Sequence, residues 1–225
     1  MQQSSSSAKD AVIIYSGGLD STTLLYEAQE RIALALTFDY GSNHAERETA
    51  CAKHHCQQLG IEHLIIPLTF VKDYFTSSLI DGADAIPEGN YDDTNMRSTV
   101  VPFRNGIMLS VACGIAESRG LKHVLIANHG GDHAIYPDCR KAFIDAMDAA
   151  MRAGTYINVD IEAPYTLLSK ADIVCRGAAL GIDYATTYSC YKGGKRHCGT
   201  CGTCRERQEA FALAHIEDPT EYEAN

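Results

Sequence analysis

The chain has 225 residues and a formal net charge of −10 at pH 7, with 45% hydrophobic and 21% charged residues. This length fits one domain with a full hydrophobic core, and the composition is typical of a soluble globular protein. The acidic balance argues against a protein whose main role is to bind nucleic acid, because phosphate contacts require Lys and Arg surfaces. No apolar run reaches the roughly 18 residues of a membrane helix, and the polar start MQQSSSSAKD is not typical of a secretory signal. We therefore expect a cytoplasmic protein without direct contact to nucleic acid or membrane.

Strand and helix signals alternate along the chain. Ala11–Tyr15 is a continuous apolar run, which predicts a strand buried on both faces. Gly60 and Gly181 follow helix-forming segments, and Ser169 is a typical helix N-cap. The predicted strands are Ala11–Tyr15, Ile32–Tyr40, Ile61–Leu68, His123–Asn128 and Ile157–Ala163, and the predicted helices are Asp20–Arg31, Ala45–Leu59, Arg104–Ser118, Pro137–Ala153, Ser169–Leu180 and Thr203–His215.

Repeated strand-helix units with buried strands predict the fold class. We expect an α/β fold with a parallel five-stranded sheet, helices on both faces, and ligands bound at the carboxyl ends of the strands. The expected regions are a flexible lead-in over residues 1–10, an α/β domain over 11–185, and a small cysteine-rich segment with a final helix over 186–225. The stretch Asp81–Pro102 is rich in Gly, Asp, Asn and Pro, and a loop of this length is usually functional or mobile. It is a candidate lid over a ligand site.

The hexapeptide Ser16–Ser21 (SGGLDS) joins the first predicted strand to the first helix. Its two glycines permit positive φ and a close approach of backbone N–H groups to a ligand, and a helix N-terminus favours an anion. No Lys follows the glycines, so the motif is not the GxxxxGK[ST] loop that holds a transferred γ-phosphate. A tight strand-to-helix turn with an Asp or Ser cap is the alternative, and these residues alone leave both interpretations open.

Two further motifs lie where ligands of this fold bind. Phe38–Gly41 (FDYG) closes the second strand, and Val101–Asn105 (VPFRN) opens a helix after the long loop. Arg and Asn in the first turn of a helix oppose the usual preference for acidic residues there, which indicates that Arg104 and Asn105 face an anion. The alternatives are a plain strand end for the first motif and a Pro-initiated helix with a solvated Arg104 for the second.

A polar cluster follows the strand that ends near Asn128. The motifs HGGDH (129–133) and YPDCR (136–140) place two histidines, two carboxylates and an Arg at a carboxyl strand end. Such a set can hydrogen-bond a polar heterocycle, and a guanine-like edge with its ring N–H and exocyclic amine suits an aspartate acceptor. We predict that Asp132, Asp138 and Arg140 bind the substrate, whereas each histidine taken singly is expected to be solvated or structural.

Four of the nine cysteines, Cys190, Cys198, Cys201 and Cys204, are close together in the sequence. Four thiolates satisfy a tetrahedral Zn²⁺ and leave no open position for water. An iron–sulfur cluster is the serious alternative, since four Cys ligands also suit it. Free thiols or disulfides are the remaining interpretation. The five scattered cysteines are interpreted as buried thiols, although Cys51 and Cys56 on the second helix could lie in the core or at the surface.

The SGGLDS segment after an apolar strand resembles the PP-loop of the ATP pyrophosphatase superfamily, which has an adenine-nucleotide alpha-hydrolase-like fold. Together with DYG, VPFRN, YPDCR and SCY–CxxCxxC in this order, it resembles the 7-cyano-7-deazaguanine synthase family of queuosine biosynthesis over nearly the whole chain. The resemblance implies that 11–185 is a PP-loop ATP-binding domain, that Asp20 and Arg104 are catalytic, that Mg²⁺ accompanies ATP near Asp20, and that the clustered cysteines hold a structural Zn²⁺. The implied ATP-binding residues are Tyr15, Ser16, Gly17, Gly18, Leu19, Asp20, Ser21, Thr22, Thr23, Leu24 and Leu25.

The same resemblance implies an ATP-dependent ligase that converts 7-carboxy-7-deazaguanine and ammonia to the nitrile 7-cyano-7-deazaguanine through adenylated intermediates. ATP, this acid and ammonia are the expected partners, and the expected assembly is a homodimer. Two other enzymes fit a PP-loop: a tRNA sulfurtransferase, which would need a sulfur-carrying cysteine such as Cys139, and an enzyme that adenylates a protein or peptide carboxylate. A zinc-stabilised nucleotide-binding module is the non-enzymatic alternative.

Overall fold

The computed structural model describes residues 9–80, 86–89, 94–131 and 135–224. These residues form five β-strands, seven α-helices and several short 3-10 turns. The strands are β1 (Ala11–Ile14), β2 (Ile32–Asp39), β3 (Glu62–Pro67), β4 (His123–Leu125) and β5 (Asp160–Glu162), and the helices are α1 (Leu19–Glu27), α2 (Ala45–Leu59), α3 (Thr69–Tyr74), α4 (Arg104–Arg119), α5 (Lys141–Gly154), α6 (Lys170–Ala179) and α7 (Gly202–Leu213).

The five strands form one parallel sheet in the order β3-β2-β1-β4-β5. From β1 the chain extends the sheet to β3 on one side and then crosses back to add β4 and β5 on the other. The strand order therefore reverses between β1 and β4, and a crevice for a ligand is expected at their carboxyl ends. The predicted parallel five-stranded α/β fold is confirmed.

Alternate residues of the central strands supply two hydrophobic layers. Val12 and Leu34 pack in a layer with α4 and α5, whereas Ile13 and Ala35 pack in a layer with α1, α2, α6 and α7. Successive side chains of a strand point to opposite faces, so a strand that is apolar at every position requires helices on both faces. The need to cover both apolar faces explains why helices lie on both sides of the sheet.

The element bounds differ from the predictions mainly at the ends. Helix α1 stops at Glu27 because the carbonyl oxygen of Ala28 accepts N–H groups from Arg31 and Ile32, over 2.9 and 3.2 Å, and turns the chain into β2. The predicted helix from Pro137 begins as a 3-10 turn, and α5 starts only at Lys141. The short helix α3 was not predicted. Two predicted helix ends are confirmed: Ser169 forms a capping box with Asp172, and Gly60 ends α2 with a φ of 63°.

The predicted loop Asp81–Pro102 is described only in part. Its residues 86–89 contact the cysteine-rich segment. Glu88 forms an isolated antiparallel β-bridge with Cys201, and the Gly89 N–H donates to the Thr200 carbonyl. Residues Thr94–Thr99 form a 3-10 helix that the sequence did not predict. Residues 81–85 and 90–93 lie outside the described part of the chain, so a lid function stays a prediction.

One segment within the described ranges, Met96–Arg119, is apolar and long enough to cross a membrane by length and composition alone. Half of its apolar window is buried inside the protein, and α4 within it packs against β1 and β4. A buried position against the central strands is typical of the core helix of a globular domain.

Candidate active site

A cavity of about 230 Å³ opens at the carboxyl ends of β1, β2 and β4. It lies at the crevice where the strand order reverses, which is the expected place for a ligand in this fold. Its walls are formed by the SGGLDS loop, the first turns of α2, α4 and α6, and the residues next to the clustered cysteines. The lining residues include Tyr15, Ser16, Gly18, Asp20, Phe38, Tyr40, His44, Glu48, Arg104, Asn105, Asn128, Tyr136, Cys139, Lys170, Ser189 and Tyr191.

The SGGLDS loop is held in its conformation by its own hydroxyl groups and by α2. The Ser16 Oγ accepts the N–H of Gly18 over 3.1 Å and lies 3.1 Å from the Ser21 Oγ. Gly17 has a φ of +86°, and a Cβ at this position would lie 2.5 Å from the carbonyl oxygen of Glu48. The loop therefore requires glycine both for its backbone conformation and for its close approach to α2.

The loop places the N-terminus of α1 beside the cavity. Gly18 is the N-cap residue, its backbone is extended, and no side chain within the described ranges caps the helix. The first N–H groups of a helix lack partners within it and carry a partial positive charge, so this position favours an anionic ligand. Of the predicted ATP-binding residues, Tyr15, Ser16, Gly18, Leu19, Asp20 and Ser21 line the cavity, whereas Gly17, Thr22, Thr23, Leu24 and Leu25 do not.

Asp20 belongs to a charged cluster at this end of α1. The Lys170 Nζ lies 3.3 Å from the Asp20 Oδ2 and donates a hydrogen bond of 2.5 Å to the Glu206 Oε2. The buried His129 ring places its Nε2 3.6 Å from Glu206 and 3.9 Å from Asp20. The other oxygen of Asp20, Oδ1, is buried without a hydrogen-bond partner within the described ranges. A carboxylate oxygen in this situation fits a ligand to a hard cation such as Mg²⁺.

Arg104 forms the opposite wall of the cavity. Its Nη1 donates a hydrogen bond of 3.1 Å to the Tyr40 phenol, and its guanidinium lies 5.6 Å from the centre of that ring. Burial opposes the charge, but the facing Tyr40, Tyr191 and Tyr136 phenols hold the pKa of Arg104 well above its ordinary value. Arg104 is therefore a permanent cation on the cavity wall. A positive charge at this place is what the predicted contact with an anion requires.

The start of α4 explains how Arg104 and Asn105 are directed into the cavity. Phe103, the N-cap residue, has a φ of 55°, which is uncommon for a residue other than glycine. The Asn105 N–H donates to the Asp138 Oδ2 over 2.8 Å, and the Asn105 Nδ2 donates to the Cys139 Sγ over 3.2 Å. Phe103 makes no side-chain capping hydrogen bond, so Asp138 instead accepts an N–H group from the first turn of α4.

The predicted substrate-binding residues have different positions. Asp138 is buried and contacts Asn105 rather than lining the cavity itself, although its neighbour Cys139 does line it. Arg140 is exposed and is the N-cap residue of α5. Asp132 lies outside the described residues, as does His133. Their roles in substrate binding stay predictions.

Aromatic side chains surround the rest of the cavity. The Tyr136 phenol lies 3.1 Å from that of Tyr191 and 2.9 Å from the Thr99 Oγ1. The His44 ring is stacked at a tilt on Tyr191, with 5.6 Å between the ring centres. Rings with polar tips suit a planar heterocycle that also carries hydrogen-bonding groups.

Several lining residues could not be predicted from the local sequence. Lys170 directly follows the helix-capping Ser169, and this position gives no sign that its side chain reaches the SGGLDS loop. Glu48 lies on an ordinary amphipathic helix and His44 directly precedes it, whereas Tyr191 belongs to the SCY motif, which predicts no contact with the cavity. A signal that could have drawn attention to His44 and Glu48 is their helical spacing directly after the FDYG strand end.

The four clustered cysteines are brought together as predicted. Cys190, Cys198, Cys201 and Cys204 are buried, and their sulfur atoms lie within 4.8 Å of one another. The Sγ atoms of Cys198 and Cys204 are 4.0 Å apart, close to the roughly 3.8 Å edge of a tetrahedron with Zn–S bonds of about 2.3 Å. Backbone N–H groups of Thr200 and Cys201 donate to the Cys198 Sγ, which favours a thiolate. The cluster can therefore hold a metal ion.

Neighbouring side chains agree with a site made of sulfur ligands alone. The His197 Nε2 accepts the backbone N–H of Ser189 over 3.1 Å and so has a structural partner of its own. Hydrogen bonds from Cys190 and Cys204 lower the pKa of the Cys201 thiol far below its ordinary value. Among the scattered cysteines, Cys56, Cys113 and Cys139 are buried and Cys51 is half-buried. Cys175 is exposed, so the prediction of a buried thiol is wrong there.

The cysteine cluster adjoins the cavity. The Tyr188 N–H donates to the Gly17 carbonyl, and Ser189, Tyr191 and Thr203 line the cavity beside the clustered cysteines. A metal ion on these cysteines would thus hold one wall of the site in place without facing the cavity itself.

Comparisons with known proteins identify the family to which this chain belongs. The family model of queuosine biosynthesis protein QueC matches residues 10–215. A 7-cyano-7-deazaguanine synthase of Porphyromonas gingivalis is 63% identical over 215 residues, with 96% of this chain and 98% of the relative covered. One of Methanoregula boonei is 48% identical, with 95% and 99% covered. The structure of NMN synthetase from Francisella tularensis has a TM-score of 0.52 at 15% identity, covers 94% of this chain and 79% of that one, and so shows the fold alone. The chain belongs to the family of queuosine biosynthesis protein QueC.

Proposed function

We propose that this enzyme converts 7-carboxy-7-deazaguanine and ammonia to 7-cyano-7-deazaguanine, with ATP cleaved to AMP and pyrophosphate. The observation that carries the proposal is that the SGGLDS loop, Asp20 and Arg104 line one cavity at the switch point of the sheet. The names of relatives that are 63% and 48% identical over nearly their whole length support the same reaction.

The chemistry explains why ATP is cleaved at the α-phosphorus. A carboxylate is a poor electrophile because its oxygen is a poor leaving group. Transfer of AMP to that oxygen releases pyrophosphate and gives a mixed anhydride, from which ammonia displaces AMP to form an amide. Transfer of AMP from a second ATP to the amide oxygen releases a second pyrophosphate. Loss of this AMP, together with the two protons of the amide nitrogen, then gives the nitrile. None of these steps needs a nucleophilic side chain, so the protein contributes position and charge stabilisation.

The residues at the two ends of the cavity suit these tasks. The pyrophosphate of ATP is proposed to bind the SGGLDS loop at the N-terminus of α1, where Lys170 adds a positive charge next to Asp20. Arg104 faces this loop from the other wall and would stabilise the charge that develops at the α-phosphate. The substrate heterocycle is proposed to lie near Tyr136 and Tyr191, with Asp132, Asp138 and Arg140 as the predicted polar contacts.

Two metal ions are part of the proposal. Zn²⁺ on the four clustered cysteines would be coordinatively closed and so structural, because no position remains for water or substrate. The Asp20 Oδ1, for which the described part of the chain supplies no partner, would ligate the Mg²⁺ that accompanies ATP. This ion would neutralise phosphate charge when bound. The homodimer and the cytoplasmic location stay predictions from the sequence analysis.

The test is to incubate the protein with ATP, Mg²⁺, ammonium and 7-carboxy-7-deazaguanine, and to identify the products by chromatography and mass spectrometry. We expect AMP, pyrophosphate and the nitrile, and no AMP when the acid is omitted. ADP in stoichiometric amounts would contradict the PP-loop assignment. AMP formed only with a peptide carboxylate or with tRNA would favour the alternative PP-loop enzymes.

A further inference from the structure

Glu48 lines the cavity although no part of the proposed adenylation needs it. It lies in the first turn of α2, and its backbone carbonyl is the group that Gly17 of the SGGLDS loop packs against. Its side chain keeps 21% of its surface exposed and faces the same space as Arg104. Glu48 therefore lines the same cavity as the SGGLDS loop and Arg104.

The other polar groups near Glu48 are less suited to accept a proton. Within the described ranges, the titratable and charged groups that face it are Tyr40 after β2, the N-cap residue His44 with its Nε2 3.8 Å away, Cys51 on α2, and Arg104 on α4. The Arg104 guanidinium is always protonated and has no acceptor. Burial lowers the pKa of His44 to about 4 and raises that of Cys51 to about 11. Burial also raises the pKa of the Tyr40 phenol, which therefore keeps its proton, so Glu48 is the remaining candidate.

The proposed reaction requires such an acceptor. Ammonium, which predominates at neutral pH, has no lone pair and cannot attack a carbonyl carbon. One N–H bond must break before the C–N bond forms. Asp20 is excluded, because Lys170 lies 3.3 Å from one of its oxygens and the other, which has no partner among the described residues, is the proposed Mg²⁺ ligand.

We propose that Glu48 binds ammonium and accepts its proton, so that ammonia is released next to the adenylated carboxyl group. This inference rests on the proposed function and adds a residue to it. The Glu48 carboxylate takes one proton from ammonium and becomes a neutral carboxylic acid. The nitrogen lone pair then attacks the acyl carbon, the bond from that carbon to the AMP oxygen breaks, and AMP leaves with the electron pair. The attacking nitrogen loses its second proton to water, which gives the neutral amide. The carboxylic acid returns its proton to water before the next cycle.

The protonation behaviour of Glu48 agrees with this role. Burial raises the pKa of the Glu48 carboxyl to about 8, and the positive charge of Arg104 acts in the opposite direction. A base works best when its pKa is near the working pH, because it is then both available and strong enough. Since the group must be deprotonated to act, the rate of amide formation is expected to rise as pH increases towards 8.

The test compares Glu48→Gln with the wild type in three separate assays. Exchange of pyrophosphate into ATP with the acid, but without ammonia, reports adenylation. Amide formation from ammonium reports the complete step. Hydroxamate formation from hydroxylamine, which is mostly unprotonated at pH 7, reports acyl transfer without a need for deprotonation. Glu46→Gln, in the same turn of α2 but exposed, is the matched control and should behave as the wild type in all three assays.

We expect Glu48→Gln to lose at least about 100-fold in amide formation at pH 7, the lower range of general base catalysis. Pyrophosphate exchange and hydroxamate formation should stay close to wild type, which also shows that the variant folds. Raising the pH should restore amide formation in the variant in proportion to free ammonia. Equal losses in all three assays, or an undiminished rate with ammonium, would overturn the role of Glu48. If the wild type itself shows no exchange with the acid, the proposed function fails instead.

Discussion

The ammonium group of Lys170, at the start of α6, lies 3.3 Å from the carboxylate of Asp20, in the first turn of α1. This ion pair joins two helices that are far apart in the sequence and places both charges beside the SGGLDS loop. The remaining Asp20 oxygen is buried without a partner within the described ranges. Because Lys170 contacts only the Oδ2 of Asp20, the Oδ1 is available to a metal ion.

The first prediction is that Asp20→Asn lowers turnover by more than about 100-fold, which corresponds to about 2.7 kcal/mol of transition-state stabilisation. Asparagine has the same shape, but it lacks the charge that Mg²⁺ needs. The thermal unfolding temperature should therefore stay close to that of the wild type. AMP formation and differential scanning calorimetry measure the two effects, and Asp73→Asn, at an exposed position on α3, is the control. Near wild-type turnover would remove Asp20 from metal positioning.

Lys170→Met is the second prediction. It removes the positive charge beside the proposed pyrophosphate site while keeping most of the side-chain volume. We expect kcat/KM for ATP to fall by about 10- to 100-fold, since a partly buried charged contact contributes about 1.5–3 kcal/mol. Steady-state kinetics at varied ATP concentration measures this. Lys141→Met, on α5, is the matched control, because its ion pair with Asp145 is exposed. An unchanged kcat/KM in Lys170→Met would contradict the assignment.

The third prediction is one Zn²⁺ per chain on the four clustered cysteines. Cys198→Ala should lower zinc content and melting temperature together, because the energy of metal binding contributes to folding. Metal analysis of the purified protein and thermal unfolding test this. Cys175→Ala, an exposed cysteine on α6, should leave both quantities unchanged. Iron with labile sulfide in the wild type would identify an iron–sulfur cluster instead, and a fully stable but inactive Cys198→Ala would indicate a catalytic metal.

A pair of glycine substitutions gives the fourth prediction. Gly17→Ala should destabilise the protein by at least about 1–3 kcal/mol, the cost of a strained backbone conformation, and should reduce activity as well. The reason is a φ of +86° together with a Cβ placed 2.5 Å from the Glu48 carbonyl oxygen. Gly114→Ala, at an exposed position inside α4 with open space around it, should instead stabilise by about 0.5–1 kcal/mol. Urea unfolding measures both changes, and a stabilising Gly17→Ala would contradict the described loop conformation.

The sequence alone determined those features that depend on residues close together along the chain. The apolar run of β1 predicted a strand buried on both faces, and the glycines of SGGLDS predicted a loop at the N-terminus of α1. The four cysteines predicted a metal site because their spacing brings four thiolates within reach of one ion. In each case the physical cause is local: backbone freedom, hydrogen-bonding capacity, or ligand number.

Only the tertiary structure decided which distant residues share the cavity. The order β3-β2-β1-β4-β5 depends on how helices cover the two faces of the sheet, and no short segment encodes it. That order brings Lys170 to Asp20 and places Glu48 and Arg104 on walls of the same cavity. Hydrophobic burial drives this assembly, and it is not directional, so the pairing of polar groups at the end of the sheet follows from packing rather than from any motif.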